Sequence, residues 1–214
     1  MKTRGLKNLF HFMRVVQMNK YKFFIDPLKE EQWINQMQKK GYRLTDISLD
    51  FIYKFEKTAE DYVTRVDYQE QMGKSKFEEY ISIHEEFGWD HIRGGRFGAV
   101  TQVWSKVPDG NDELFSDRES KINYYKRYMK MTGGLAVLFL VYTMLFVPDS
   151  TGMIFLTPGL WEAEGMKFWR AFLFELPFAL MRVLPVILFP LAAALFFLTY
   201  YKMDKAKKEL EQEI

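Results

Sequence analysis

The stretches TGGLAVLFLVYTMLFV (Thr132–Val147) and VLPVILFPLAAALFFLTYY (Val183–Tyr201) decide the architecture of this chain. Each is an apolar run of roughly 16–20 residues, close to the length a helix needs to cross a bilayer core. Lys126, Arg127 and Lys130 precede the first run, and Lys202, Lys205, Lys207 and Lys208 come after the second. Basic flanks of this kind stay on the cytoplasmic side. The connection from Pro148 to Arg170 sets Asp149, Glu162 and Glu164 against only Lys167 and Arg170. The expected topology is therefore a multi-pass inner-membrane protein with both termini cytoplasmic and the connecting loop outside.

Working outward, the rest of the 214 residues suits one domain of ordinary size. A formal net charge of +2 is too small to point to nucleic acid. Cysteine is absent, which removes disulfides, thiol catalysis, iron–sulfur clusters and cysteine-ligated zinc. Met1–Gln17 places Leu6, Leu9, Phe10, Met13 and Val16 near one helical face with Lys2, Arg4, Lys7 and Arg14 elsewhere. It reads either as a basic amphipathic helix on the membrane surface or as sequence ahead of a natural start at Met18.

From Tyr21 the pattern is that of an α+β domain. Tyr21, Phe23 and Ile25 alternate with Lys22, Phe24 and Asp26, a strand that Pro27 ends. Leu28–Lys40 carries a helical stripe of Trp33, Ile34 and Met37, closed by Gly41. Three strands are expected over Arg43–Leu49, Ile52–Lys57 and Tyr62–Gln69. A second helix is expected on Phe77, Tyr80, Ile81 and His84, closed by Gly88, and a last hairpin over Trp89–Arg93 and Ala99–Lys106 turns around Gly94, Gly95 and Gly98. This order is close to the ferredoxin-like (split βαβ) arrangement with extra strands, both helices covering one face of an antiparallel sheet.

Val107–Leu114 reads as a polar linker. Ser116 and Glu119 then form a capping box that opens a juxtamembrane helix through Asp117, Arg118, Tyr124 and Tyr125, continuous with the first span. Trp161, Phe168, Trp169, Phe172 and Leu173 suggest an amphipathic segment on the outer surface, and Pro177, Pro185 and Pro190 are expected to bend the second membrane segment. The chain thus divides into a basic extension (1–18), an α+β domain (19–107), a linker with juxtamembrane helix (108–131), a first span (132–147), an outer loop (148–182), a second span (183–201) and a charged tail (202–214).

Few residues suggest chemistry. His84 sits on the apolar stripe of the second helix and His91 lies seven residues on, without the spacing of a metal motif such as H-E-x-x-H. Arg65 and Asp67 share a strand face. They suit either an ion-pair ladder with Lys54 and Glu56 on the preceding strand or a charged ligand site with Trp104 nearby. RGGRFG (Arg93–Gly98) can cradle an anion through its backbone, and a hairpin turn explains its glycines equally well. Phe23, Tyr53, Phe55 and Trp104 can stack a planar ligand or form half of a core. Glu175 and Arg182 interrupt the apolar sequence before the second span, and charges at that depth are functional by default. No cofactor, metal site or catalytic constellation is expected.

YKFFIDPLKEEQWINQMQKKGYRL, then YVTRVDY, then FSDRESKINYYKRY resemble the bacterial membrane proteins grouped as domain-of-unknown-function family 2812, over roughly Tyr21–Lys130. The resemblance implies proximity to PadR-type regulators and a regulated envelope response, and it brings no catalytic residues. The function expected is that of a membrane-tethered cytoplasmic sensing or interaction module acting by protein–protein contact. Its partners would be membrane lipids and either a PadR-type regulator system or an envelope membrane protein. The alternative is an accessory or assembly subunit of an envelope transporter, using the transmembrane hairpin.

Overall fold

The computed structural model describes residues 17–97, 100–115, 117–150 and 154–212. The N-terminal extension before Gln17 and the Ser116 cap lie outside them. The chain divides into two compact units, the break falling between Tyr124 and Tyr125.

The first unit holds β1 (Gln17–Tyr21), α1 (Pro27–Gln38), β2 (Tyr42–Ser48), β3 (Ile52–Lys57), β4 (Val63–Gln69), α2 (Lys74–Glu86), β5 (Asp90–Arg93) and β6 (Val100–Lys106). The α+β class expected from the sequence is present. The ladders form two three-stranded antiparallel sheets, β1-β3-β2 and β4-β6-β5, where the split βαβ reading has one. The first strand lies four residues earlier than the alternation of Tyr21, Phe23 and Ile25 suggests. Tyr21 ends β1 and the residues after it form the connection to α1, in which Phe23 is 68% accessible while Phe24 packs against the core.

α1 starts sharply because the Asp26 carboxylate accepts from the Leu28 and Lys29 amides and Pro27 fills the first helical position. Its apolar stripe packs Ile34 and Met37 against Leu44, Ile47, Tyr53 and Phe55 of the first sheet and Val66 and Val103 of the second. Its polar side turns to β4, an edge strand. Glu31 Oε2 accepts from the Val66 amide at 3.0 Å, and the Asn35 side chain both accepts from and donates to the Thr64 backbone. Side chains from α1 thus satisfy backbone groups that an open edge would leave for another chain.

The expectation that both helices share one face fails. Alternate residues of a strand point to opposite faces. Thr64 and Val66 meet α1, whereas Asp67 meets Tyr80 of α2. α2 therefore rides on the other side of the second sheet, and none of its residues is fully buried.

The two sheets are versions of one unit. Each is built β-α-β-β with the strands ordered first, third, second. E-x-W-I over Glu31–Ile34 and E-x-Y-I over Glu78–Ile81 stand 47 residues apart, as do Gly41-Tyr42 and Gly88-Trp89. Both glycines have positive φ, 81° and 78°, as a helix C-terminal stop requires. The ladders agree residue by residue. Phe55 lies between Met18 and Leu44 as Trp104 lies between Arg65 and His91. Both second strands carry a register shift at the same place, Leu44/Asp46 and His91/Arg93. Arg43 and Asp90, counterparts in the two repeats, form an ion pair at 3.1 Å where the repeats meet along β2 and β5. The sheet unit is an internal structural repeat.

Among the described residues, α3 (Arg118–Ser150) and α4 (Gly165–Gln212) are the two helices long and apolar enough to cross a membrane. Asp117 caps α3, its carboxylate accepting from the Ser120 amide and hydroxyl at 2.7 Å each. Pro177, Pro185 and Pro190 lie inside α4, which is one helix through both the expected outer amphipathic segment and the charged tail. In the second unit Phe139 stacks on Phe196 at 5.8 Å, and Gly133 lets Tyr200 approach closely. Most apolar side chains of both helices face outward, among them Met144 at 64% and Met181 at 70% accessible.

Candidate functional site

The repeats differ most in what fills the space between helix and sheet. In the first, Trp33, Ile34, Met37, Leu44, Tyr53 and Phe55 make a mainly apolar interior, in which Trp33 meets Tyr53 edge-on at 4.9 Å and the Tyr53 hydroxyl donates to buried Glu30 at 2.7 Å. The counterparts in the second are Tyr80, Ile81, His84, His91, Gln102 and Trp104. The same backbone here encloses an extended hydrogen-bonded network where the first repeat has mostly apolar contacts.

The network is continuous. Asp67, 1% accessible, accepts from the Tyr80 hydroxyl at 2.9 Å and from the Tyr68 amide at 2.7 Å. The Tyr80 oxygen in turn accepts from Trp104 Nε1 at 3.0 Å. Trp104 is fully buried, with His84 stacked on it at 4.6 Å and His91 tilted against it at 4.6 Å. Gln102 Nε2 donates to the Gly95 carbonyl, so its Oε1 faces His91 and accepts from Nε2–H at 2.9 Å. His84 Nδ1–H donates to the Tyr80 carbonyl by the same logic. Gly94, at φ 138°, cannot be replaced: any Cβ there would strike the Gln102 side chain and the His91 ring.

Burial holds His91 below the ordinary imidazole value of 6.5, the hydrogen bond to Gln102 and the Glu85 charge opposing. The folded domain thus favours neutral His91. Its contribution is complete above the unfolded pKa and is lost as pH falls below it, when the unfolded chain binds the proton first. His91→Gln keeps an N–H donor without the titration, and should flatten the loss of melting temperature between about pH 7 and about pH 5. Burial raises Glu30 and Glu31, and their contributions run the opposite way. They cancel in the comparison of variant with wild type. Equal slopes for the two proteins would remove His91 from this role.

The structure brings Asp67 and Trp104 together through Tyr80, and Arg65, opposite Trp104 in the ladder, turns its guanidinium to Glu31 and Glu113. β3 and β4 lie in different sheets, so the ladder of Arg65 and Asp67 with Lys54 and Glu56 does not form. Lys54 pairs with Asp46 at 2.7 Å, and Arg65 with Glu31 and Glu113 at 3.4 Å each. Tyr53, Phe55 and Trp104 are core, not a stacking platform, and Phe23 is apart from them in the exposed connection. Of RGGRFG, Gly94 and Gly95 lie past β5 on the way to β6, and Gly98 is outside the described residues. Tyr80 and Gln102 hold the network together, and no local motif marks either for that role. The signal that finds them is the repeat, which sets Tyr80 against Trp33 at a spacing of 47 and Gln102 against Tyr53 at a spacing of 49.

In the second unit Glu175 and Arg182 pair at 2.7 Å. Glu175 also accepts from the Leu156 amide and the Thr157 hydroxyl, while Arg182 donates to the Ile154 carbonyl. The pair clamps the segment ahead of α4 to that helix roughly three and five turns beyond its start. Tyr124 and Tyr125 of the juxtamembrane helix are both buried, at 3% and 6% accessible. No cluster of three or more metal-ligating side chains occurs among the described residues.

A family profile described as "Protein of unknown function (DUF2812)" matches residues 26–137, just over half of the 214-residue chain. No curated protein and no solved structure matches it.

Proposed function

We propose that this chain, which belongs to the DUF2812 family of proteins of unknown function, is a membrane-tethered sensing or interaction module that works by protein–protein contact. α3 and α4 serve as the anchor, with both termini on the cytoplasmic side of an inner membrane. Their outward apolar side chains need a lipid environment, since water would face an apolar surface far larger than soluble proteins expose. The observation that carries the reading is the contrast between repeats. α1 is locked into a core, while α2 buries no residue completely and covers a polar network. Helices with few buried contacts open at low free energy, and α2 with its C-terminal cap presents Ile83 and Phe87, 47% and 60% accessible, to a partner. The partner class is a regulator or another envelope membrane protein.

A photo-crosslinker placed at Phe87 in the native membrane should capture a discrete protein that a crosslinker at Lys57 does not. Phe87→Lys should prevent the same protein from co-purifying. Identical labelling from both positions would end the interaction reading. Replacing Tyr124 and Tyr125 by glycine should uncouple domain from anchor while leaving the protein in the membrane.

The Glu175–Arg182 pair favours a second reading, an accessory or assembly role beside an envelope transporter. Reversing either charge should abolish resistance to envelope-active compounds, and reversing both should restore it. Full resistance in both single variants would dismiss that role.

A further inference from the structure

We propose that one end of the sheet unit, which carries the exposed side chains of Tyr21, Phe23, Leu49, Phe51 and Phe97, docks on an anionic bilayer surface. The proposal rests on the reading of α3 and α4 as a membrane anchor.

The five side chains come from separate segments that meet at this end. The Lys22 amide, one residue past β1, donates to the Phe51 carbonyl at 2.9 Å, which sets the residues after β1 beside the β2–β3 turn. Asp50 of that turn pairs with Arg93, the last residue of β5, and the chain then runs on to Phe97. Apolar groups gathered in water in this way mark a surface of interaction.

Leu49 shows that the exposure is not incidental to folding. Leu49 and Asp50 have φ of 52° and 62°, the left-handed region in which a Cβ crowds the backbone and glycine or asparagine is the ordinary choice. The second repeat makes its corresponding turn with Gly94 and Gly95. The first repeat holds a leucine in the disfavoured conformation and leaves it 75% accessible. A turn that served folding alone would gain from glycine there.

The charges identify the occupant. Three of the exposed aromatics follow directly on a base, in Lys20-Tyr21, Lys22-Phe23 and Arg96-Phe97, and the Arg96 guanidinium lies over the Phe97 ring at 4.2 Å. Asp26 caps α1, Asp50 pairs with Arg93, and Glu70 follows β4, the strand of the second sheet farthest from β5. Aromatic rings settle at the headgroup boundary of a bilayer, and bases beside them meet its anionic phosphates. The tether permits the approach. The longest strands have seven residues, about 23 Å, whereas residues 107–131 supply a linker and about 20 Å of helix ahead of the first apolar run.

The test uses the full chain in nanodiscs of phosphatidylcholine with or without phosphatidylglycerol. The chain has no cysteine, so Leu49→Cys takes a single environment-sensitive fluorophore, with Asp61→Cys in the β3–β4 loop as the control. Spin-labelled lipids should quench the probe at position 49 in the anionic discs and leave the probe at position 61 bright. Lys22→Glu and Arg96→Glu should each lower the ratio of docked to free domain about fivefold. Leu49→Gly, read from a probe at Phe97→Cys, should lower docking about threefold or more while raising the melting temperature, which a purely structural role for Leu49 would not produce. Absent quenching at position 49, equal quenching at both positions, or docking that survives both charge reversals would each overturn the proposal. Shielding of position 49 in native membranes but not in pure-lipid discs would overturn it in favour of a protein partner. Co-elution of the chain with the discs reports the anchor separately, so a bound chain with a bright probe fails the docking alone.

Discussion

Ile34→Ala should cost about 3–4 kcal/mol of domain stability, while Ile81→Ala, the same change at the same place in the second repeat, should cost less than about 1 kcal/mol. Ile34 is wholly inaccessible and is surrounded by Leu44, Tyr53, Phe55, Val66 and Val103, residues from both sheets. Truncation there leaves a cavity that two sheets and a helix hold open, so the lost transfer energy and the cavity add. Ile81 is only half-buried on a helix with no fully buried residue, and its neighbours can relax into the space. Against a total of about 5–15 kcal/mol for a domain, the first change is severe and the second minor. Urea denaturation of the full chain in micelles, tracked by the fluorescence of Trp33, Trp89 and Trp104, measures both. Equal costs would mean that α2 is packed as tightly as α1, and the distinction between the repeats would vanish.

That distinction also explains what the sequence conveys and what it does not. α1 is legible because Asp26-Pro27 and Gly41 punctuate it and Trp33, Ile34 and Met37 keep helical spacing. The hairpins β2–β3 and β5–β6 are legible because short turns force neighbours to pair. Alternation correctly puts Arg65 and Asp67 on one face of β4. It says nothing about which strand lies alongside, and β4 pairs with β6, not with β3. The helices' faces mislead for the same reason: a stripe shows that a helix is covered, not by which side of which sheet.

The repeat runs at a spacing of 47 through its second strand and of 49 in its third, and dissimilar side chains hide it. Interior positions that pair tryptophan with tyrosine and methionine with histidine do not look alike until the register of the ladders aligns them. The apolar runs announce α3 and α4, but α4 extends past its greasy part at both ends. Lysines and glutamates there carry their charges to the surface at no cost to the helix, and long apolar helices tolerate interior proline.

The second large effect belongs to the network under α2. Asp67→Ala should cost about 2–4 kcal/mol, because it strands several donors at once, among them the Tyr68 amide and the Tyr80 hydroxyl. Tyr80→Phe should cost about 1–3 kcal/mol, more than an average hydroxyl, since it also takes the acceptor from Trp104 Nε1 inside the protein. The double variant should fall short of the sum by about 1–2 kcal/mol, because both changes break the same O–H···O bond. An ion pair at the surface would give almost no such coupling. Here the carboxylate is sealed by β6 and α2, where a missing partner is not replaced by water. Additive costs in the double-variant cycle would show that Tyr80 does not reach Asp67 in solution. In that case α2 rests away from Trp104, and the network that distinguishes the second repeat would have to be closed by whatever binds there.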